Sequence, residues 1–284
     1  MSLARLMDPL TLNDQLHDPQ LVLLDCRFAL DDADYGLLSY RAGHIAQARF
    51  VDIGRQLSAA HRPGQTGRHP LPTPQALQDC LCQLGINDDS TVVLYDDNSN
   101  AFAARAWWIL AWLGKRDGLY LLDGGLAAWQ AAGLPLSQAE PAINPGQFQA
   151  RAEASLLVSA EQLLARLDDP QLTLLDARAP ARFTGAQEPI DPRGGHIPGA
   201  QCAPFAENLQ ADGRFLPSEA LRSRFAALLG TRPPAAAVAY CGSGITACHN
   251  LFALCLAGYP LLPLYAGSWS EWITDPQRPV ATGA

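Results

Sequence analysis

Charge is scarce in this sequence, and what there is does not favour the basic side. Charged side chains make up only 17% of the chain, and the net charge is −8. A surface of that sign repels phosphate backbones, so no nucleic-acid partner is expected. Long hydrophobic runs are also missing. No apolar stretch approaches the ~20 residues that cross a bilayer, so no membrane role is expected. The stretch Met1 to Pro9 lacks the apolar core of a secretory leader. Seven cysteines, an odd number and scattered, suit reduced thiols in a cytoplasm better than a disulfide framework. Cys80-Leu81-Cys82 does not have Cys-x-x-Cys spacing and reads as helix packing. No Cys/His spacing suggests zinc, and neither a metal nor a cofactor is expected.

What is present is a 284-residue chain, 48% hydrophobic, long enough for two cores. It is one pattern written twice. Leu21-Val22-Leu23-Leu24-Asp25-Cys26-Arg27 returns as Leu172-Thr173-Leu174-Leu175-Asp176-Ala177-Arg178. Gly43-His44-Ile45 returns as Gly195-His196-Ile197, and Gly124-Gly125-Leu126-Ala127-Ala128-Trp129 as Gly267-Ser268-Trp269-Ser270-Glu271-Trp272. Leu71-Pro72-Thr73 and Leu216-Pro217-Ser218 each open a helical pattern with an N-cap residue, Thr73 or Ser218. Copies of this length are tandem domains rather than a solenoid. The expected division is 1–136, a linker at 137–154 rich in Pro, Ala and Gln, and 155–284.

Within the first copy, 21–24, 91–95 and 119–122 read as strands without polar alternation, as in a sheet covered on both faces. Helical patterns lie at 75–84 and 103–113. The expected class is α/β, each domain a mainly parallel sheet with helices on both faces.

The chemistry concentrates at Cys241-Gly242-Ser243-Gly244-Ile245-Thr246-Ala247. An apolar strand is predicted at 235–240 before it and an apolar helix at 251–257 after it. A loop with two glycines can curl its backbone N–H groups toward one atom, and the following helix adds its positive dipole end. A cysteine there should ionise easily. Where the second copy has Cys241-Gly242-Ser243-Gly244, the first has Asp96-Asp97-Asn98-Ser99. One half is therefore expected to be active and the other inert. A Cys-x5-Arg phosphatase would need arginine at Ala247 to clamp phosphoryl oxygens, so that reading fails. Sulfur transfer through a cysteine persulfide remains.

At this point the chain resembles the tandem-domain rhodanese-type sulfurtransferases, closest to the 3-mercaptopyruvate sulfurtransferases. The likeness rests on Cys241 to His249, on Gly195-His196-Ile197-Pro198-Gly199-Ala200, on the Gly267 to Trp272 stretch and on Asp96 in place of a first-domain cysteine. The resemblance implies a persulfide formed on Cys241 within the loop Gly242, Ser243, Gly244, Ile245 and Thr246. It implies substrate-binding arginines at Arg182 and Arg193, although the spacing of Arg193 departs from the family pattern. It implies His69 reaching the loop serine, Ser243. The acidic partner of that histidine falls at Gly54, with Asp52 as the neighbouring stand-in. No cation occupies 242–244, which favours mercaptopyruvate over the thiosulfate dianion as donor. Thiosulfate stays as the alternative, and a non-catalytic binding module is the rival from another class. The acceptor would be a thiol, either small or on a thioredoxin-like protein, or cyanide.

Several residues have plainer readings. Asp25/Arg27 and Asp176/Arg178 recur in the half without the thiol and read as structural ion pairs. His44 and His196 read as turn histidines, and Trp107, Trp108 and Trp112 as core. Cys248 and Cys255 read as packing thiols on one helix face, with a resolving role for Cys248 the sharper option. His249 reads as either a tuner of the loop or a surface residue.

Overall fold

The computed structural model describes residues 3–283. By packing, the chain forms two compact units that exchange short segments. The first comprises the chain through Ala59, Leu71–Glu153 and Ala211–Phe215. The second comprises Ala60–Pro70, Ala154–Gln210 and the chain from Leu216 onward.

In the first unit the elements are β1 (Leu6–Met7), α1 (Pro9–Gln15), β2 (Leu21–Asp25), α2 (Tyr35–Ala42) and β3 (Arg49–Phe50). They continue with α3 (Pro74–Gln83), β4 (Thr91–Tyr95), α4 (Ala103–Trp112), β5 (Leu119–Leu122) and α5 (Gly125–Ala131). The sheet order is β1-β5-β4-β2-β3, with every pair parallel. Consecutive residues of β2 and β4 are buried whichever way they point, so both sheet faces are covered. Asp8 caps α1 by accepting from the Leu10 and Thr11 N–H groups, and Thr73 caps α3 through Ala76 N–H. The stretch after α5 lies along this unit: Ser137 bridges His44, and Arg151 N–H donates to Leu113 O.

The second unit holds α6 (Ala160–Leu164), β6 (Thr173–Asp176), α7 (Pro180–Thr184), β7 (Ala200–Cys202), α8 (Ser218–Leu229), β8 (Ala237–Tyr240), α9 (Thr246–Leu256) and α10 (Ser268–Trp272). Its sheet runs β7-β6-β8, again parallel. Single parallel bridges from Leu264 to Ala239 and to Leu157 extend the same row. The order therefore repeats that of the first unit, with two strands reduced to one bridge each. Two boundaries differ from the sequence expectation. The strand before Cys241 starts at Ala237, because Pro234–Ala236 forms a 3-10 turn behind Pro233. Ser218 is not a cap: it sits inside α8 and its hydroxyl donates to Leu256 O.

The repeated residues form the same braces in both units. Arg27 pairs with Asp25 at 2.5 Å and donates to Gly43 O at 2.8 Å. Arg178 pairs with Asp176 at 2.6 Å and donates to Gly195 O at 2.6 Å. The Tyr95 and Tyr240 hydroxyls accept from Ile45 and Ile197 N–H groups, each at 3.2 Å. His44 stacks on Tyr40 and His196 on Phe183, with ring centroids 3.9 and 3.8 Å apart. Each brace ties a strand end to the turn beside it. Trp107, Trp108 and Trp112 are buried on α4.

Candidate active site

β8 delivers Cys241 to the carboxyl end of the second sheet, where parallel α/β sheets place their sites. The thiol is only 2% exposed. Gly244 N–H donates to Cys241 Sγ at 3.2 Å. The outer side of the loop is pinned by the start of α10. Trp269 N–H donates to Cys241 O at 3.0 Å and Ser270 N–H to Gly242 O at 2.9 Å, while Cys241 N–H donates to Ser268 Oγ at 3.1 Å. With these carbonyls held outward, the loop cannot flatten. Gly244 has φ +78°, and a Cβ there would stand 2.4 Å from Ala266 O, so only glycine fits.

The helix behind the loop starts at Thr246, five residues earlier than its apolar pattern indicates. Its N-terminus thus faces the loop directly. Cys248, His249 and Asn250 look polar enough to sit outside a buried helix, yet all three are buried on it. Asn208 explains this: its Nδ2 lies 3.1 Å from His249 Nδ1 and donates to Asn250 Oδ1 at 2.7 Å. Asn250 Nδ2 in turn donates to Ala203 O at 2.7 Å. His249 is therefore not a surface residue. Cys248 Sγ donates to Gly244 O at 3.3 Å, packing beneath the loop, and Cys255 is buried further along the helix.

Two guanidinium groups stand beside Gly242. A Cβ built on that glycine would meet Arg68 Nη2 at 2.9 Å and the two Arg182 Nη atoms at 3.4 Å. Arg182 is held by Glu188, with Nε 3.0 Å from both carboxylate oxygens, and by Asp191 at 2.9 Å. Asp191 also pairs with Arg68, and Glu188 with Arg178 at 3.4 Å. Three guanidiniums (Arg68, Arg178, Arg182) thus face three carboxylates (Asp176, Glu188, Asp191), and the cluster carries no formal net charge. Burial pushes the Asp191 carboxyl above its ordinary range against the pull of Arg68. Burial also works to raise Glu188, but the Arg182 guanidinium and the Asp191 and Ile190 N–H groups together hold it below its usual value.

His69 Nδ1 lies 2.8 Å from Ser243 Oγ. Cys241, Ser243, His69 and Arg182 therefore come together, with the glycine loop around them. Arg193 does not join them: its side chain is exposed, and only its carbonyl is used, accepting from Trp269 Nε1 at 2.8 Å. Asp52 closes its own turn, accepting from the N–H groups of Gly54 at 2.8 Å and Arg55 at 2.9 Å. Thr246 opens α9 with its side chain half-buried. Sequence reasoning missed Arg68 and the paired carboxylates Glu188 and Asp191. The signal was present only as an arginine next to His69 and acids next to Arg193.

Among the described residues, no three His, Cys, Asp or Glu side chains are arranged to hold a metal ion. Nor is any described helix long and apolar enough to cross a membrane. The arrangement offers a nucleophilic sulfur, backbone N–H groups for an anion, and a neutralised pair of guanidiniums.

Known proteins resemble this chain along most of its length. A Pseudomonas aeruginosa protein named "Probable 3-mercaptopyruvate sulfurtransferase" is 62% identical over 283 residues, spanning 100% of both chains. "Thiosulfate/3-mercaptopyruvate sulfurtransferase 1, mitochondrial" of Arabidopsis thaliana is 33% identical over 95% of this chain and 76% of its own. The crystal structure of SseA from Escherichia coli, described for the rhodanese fold and mechanism of 3-mercaptopyruvate sulfotransferases, superposes with a TM-score of 0.80. It is 31% identical and covers 94% of this chain and 99% of its own. The Rhodanese-like domain matches residues 8–132 and again 159–275, and the chain belongs to that family.

Proposed function

We propose that this chain is a sulfurtransferase that takes sulfur from 3-mercaptopyruvate, carries it as a persulfide on Cys241 and passes it to a thiol or cyanide. One observation carries the reading: a nearly buried cysteine in a pinned glycine loop, flanked by two guanidiniums whose charge is balanced by paired carboxylates. In this scheme the Cys241 thiolate attacks the donor sulfur and the sulfur–carbon bond breaks. Pyruvate enolate leaves and takes up a proton, and the sulfur remains on Cys241. Arg182 and Arg68 hold the donor carboxylate by directional N–H bonds. Ser243, with its hydroxyl beside His69, and Thr246 stabilise charge on the sulfur.

The balanced charge bears on the donor. Thiosulfate brings two negative charges and would need a cationic bowl. A monoanionic carboxylate needs only correctly aimed donors, and the carboxylates already paired with Arg68 and Arg182 leave little net field for a dianion. The proposal assigns catalysis to the second unit and an inert role to the first, whose Asp96 replaces the thiol. It includes a reducing, cytoplasmic setting, a reading supported by seven cysteines none of which forms a disulfide.

The test is intact mass after incubation with mercaptopyruvate, combined with a comparison of two products. Wild type should gain one sulfur atom, Cys241→Ser none, and pyruvate release from mercaptopyruvate should outrun sulfite release from thiosulfate. Absence of the added sulfur overturns enzymatic function. Faster sulfite release overturns the donor.

A further inference from the structure

Beside the loop lies a cavity of about 450 Å³ that shares Arg68 with the donor site and otherwise has no part in the scheme above. One wall is the active-site cluster itself, namely Arg68, Asp191 and Ser270. Arg68 reaches Gly242 with one end of its guanidinium and pairs with Asp191 through the other. Ser270 donates its N–H to Gly242 O at 2.9 Å. Two of its lining residues, Arg68 and Ser270, thus touch Gly242, the neighbour of Cys241 in the chain.

The other walls are mainly apolar, with Pro63, Ile190, Pro192 and Ile273 beside one imidazole, His61. Ile190 is 43% exposed, an unusual placement for a large aliphatic side chain beside a charged cluster. The hydroxyls in the wall are already engaged. Thr274 Oγ1 donates to Glu271 O at 2.8 Å, Thr66 Oγ1 accepts from Arg62 N–H at 3.0 Å, and Ser270 Oγ accepts from Arg68 N–H at 3.1 Å. Arg68 and Asp191 neutralise each other. Such a site rewards burial of carbon and offers no net charge to grip.

We propose that this cavity seats the sulfur acceptor, and that the acceptor it selects is a small, uncharged aliphatic thiol. The inference rests on the persulfide reading above and adds a subsite to it. Seated there, the acceptor's thiolate attacks the outer sulfur of the Cys241 persulfide. A new sulfur–sulfur bond forms on the acceptor, the bond to Cys241 breaks, and its electron pair returns to Cys241 Sγ. The acceptor leaves as its own persulfide, and no oxidant or reductant is consumed.

The test separates the two half-reactions in full-length enzyme. Wild type, Ile190→Trp and Thr274→Trp are loaded with mercaptopyruvate, and the persulfide is verified by mass. Each is then mixed with dithiothreitol or with cyanide, which is too small to need the cavity. Plugging the cavity should slow transfer to dithiothreitol about tenfold, the scale of losing one or two buried methylenes. Loading and transfer to cyanide should be unchanged, which also shows that the variants are folded. Equal slowing with both acceptors, or no slowing with either, overturns the subsite. Failure of wild type to load at all overturns the persulfide reading instead.

Discussion

Asp96 and Cys241 occupy the same place in the two repeats, each directly after the strand beside the doubled Asp-x-Arg brace. They solve one problem in opposite ways. In the first unit the Asp96 carboxylate fills its own bowl: Oδ1 accepts from Asn98 and Asn100 N–H, and Oδ2 from Phe102 and Ala103 N–H, at 2.7–2.8 Å. All four donors are consumed internally. In the second unit a sulfur stands in place of the carboxylate, and Gly244 N–H is the one donor to it among the described residues. The same turn is thus a closed knot when it holds a carboxylate and an open seat when it holds sulfur. The two repeats differ at this position in how many N–H groups bond the side chain, not in fold.

That contrast can be broken from the reactive side first. Cys241→Ser should abolish pyruvate release, a loss of at least about a thousandfold, because oxygen cannot carry the sulfur. A residual rate near wild type would end the comparison. Arg182→Ala should lower kcat/KM for mercaptopyruvate roughly a hundredfold, as expected for a lost charge-assisted pair. The variant should still load sulfur at saturating donor, which steady-state kinetics with mass detection will resolve. His69→Ala should lower kcat about tenfold and remove one limb of its pH profile, with KM nearly unchanged.

The closed half gives the smallest effect on activity and a distinct one on stability. Burial, opposed by the four N–H groups, pushes the Asp96 carboxyl from an ordinary 3.8 up to about 6. The folded state therefore binds more protons than the unfolded state between those values, and this group's contribution falls as pH rises through about 6. The loss should amount to up to about 3 kcal/mol. Asp96→Asn should flatten that part of the stability–pH curve. It should also lower Tm at neutral pH, since its amide N–H₂ meets donors where an acceptor was needed. Turnover at room temperature should stay within about twofold of wild type. Denaturant melts at several pH values, run beside activity assays, check both halves of this expectation.

Much of the frame was legible because it is local. The strands at Thr91–Tyr95 and Leu119–Leu122 lie where unbroken apolar runs end at turn residues. Cys241 and its glycines were legible because one short segment makes the loop. His249 and Asn250 were not, because their burial depends on Asn208, some forty positions away, supplying the missing partners. Arg193 was expected from the family resemblance despite its irregular spacing, but its side chain is exposed and its carbonyl accepts from Trp269 Nε1. Arg68 was missed for the complementary reason. It lies in the first half of the sequence and packs with the second unit, and no periodicity records such an exchange.

That exchange has a consequence for the order in which the protein is made. During synthesis the segment Ala60–Pro70, with Arg68 and His69, leaves the ribosome well before the unit to which it belongs. The first unit likewise waits for Ala211–Phe215. Neither half can be complete until most of the chain exists. A gene cut at the apparent seam would part Cys241 from Arg68 and His69, which belong to the same compact unit. The two repeats written in the sequence are therefore not two separable pieces of structure.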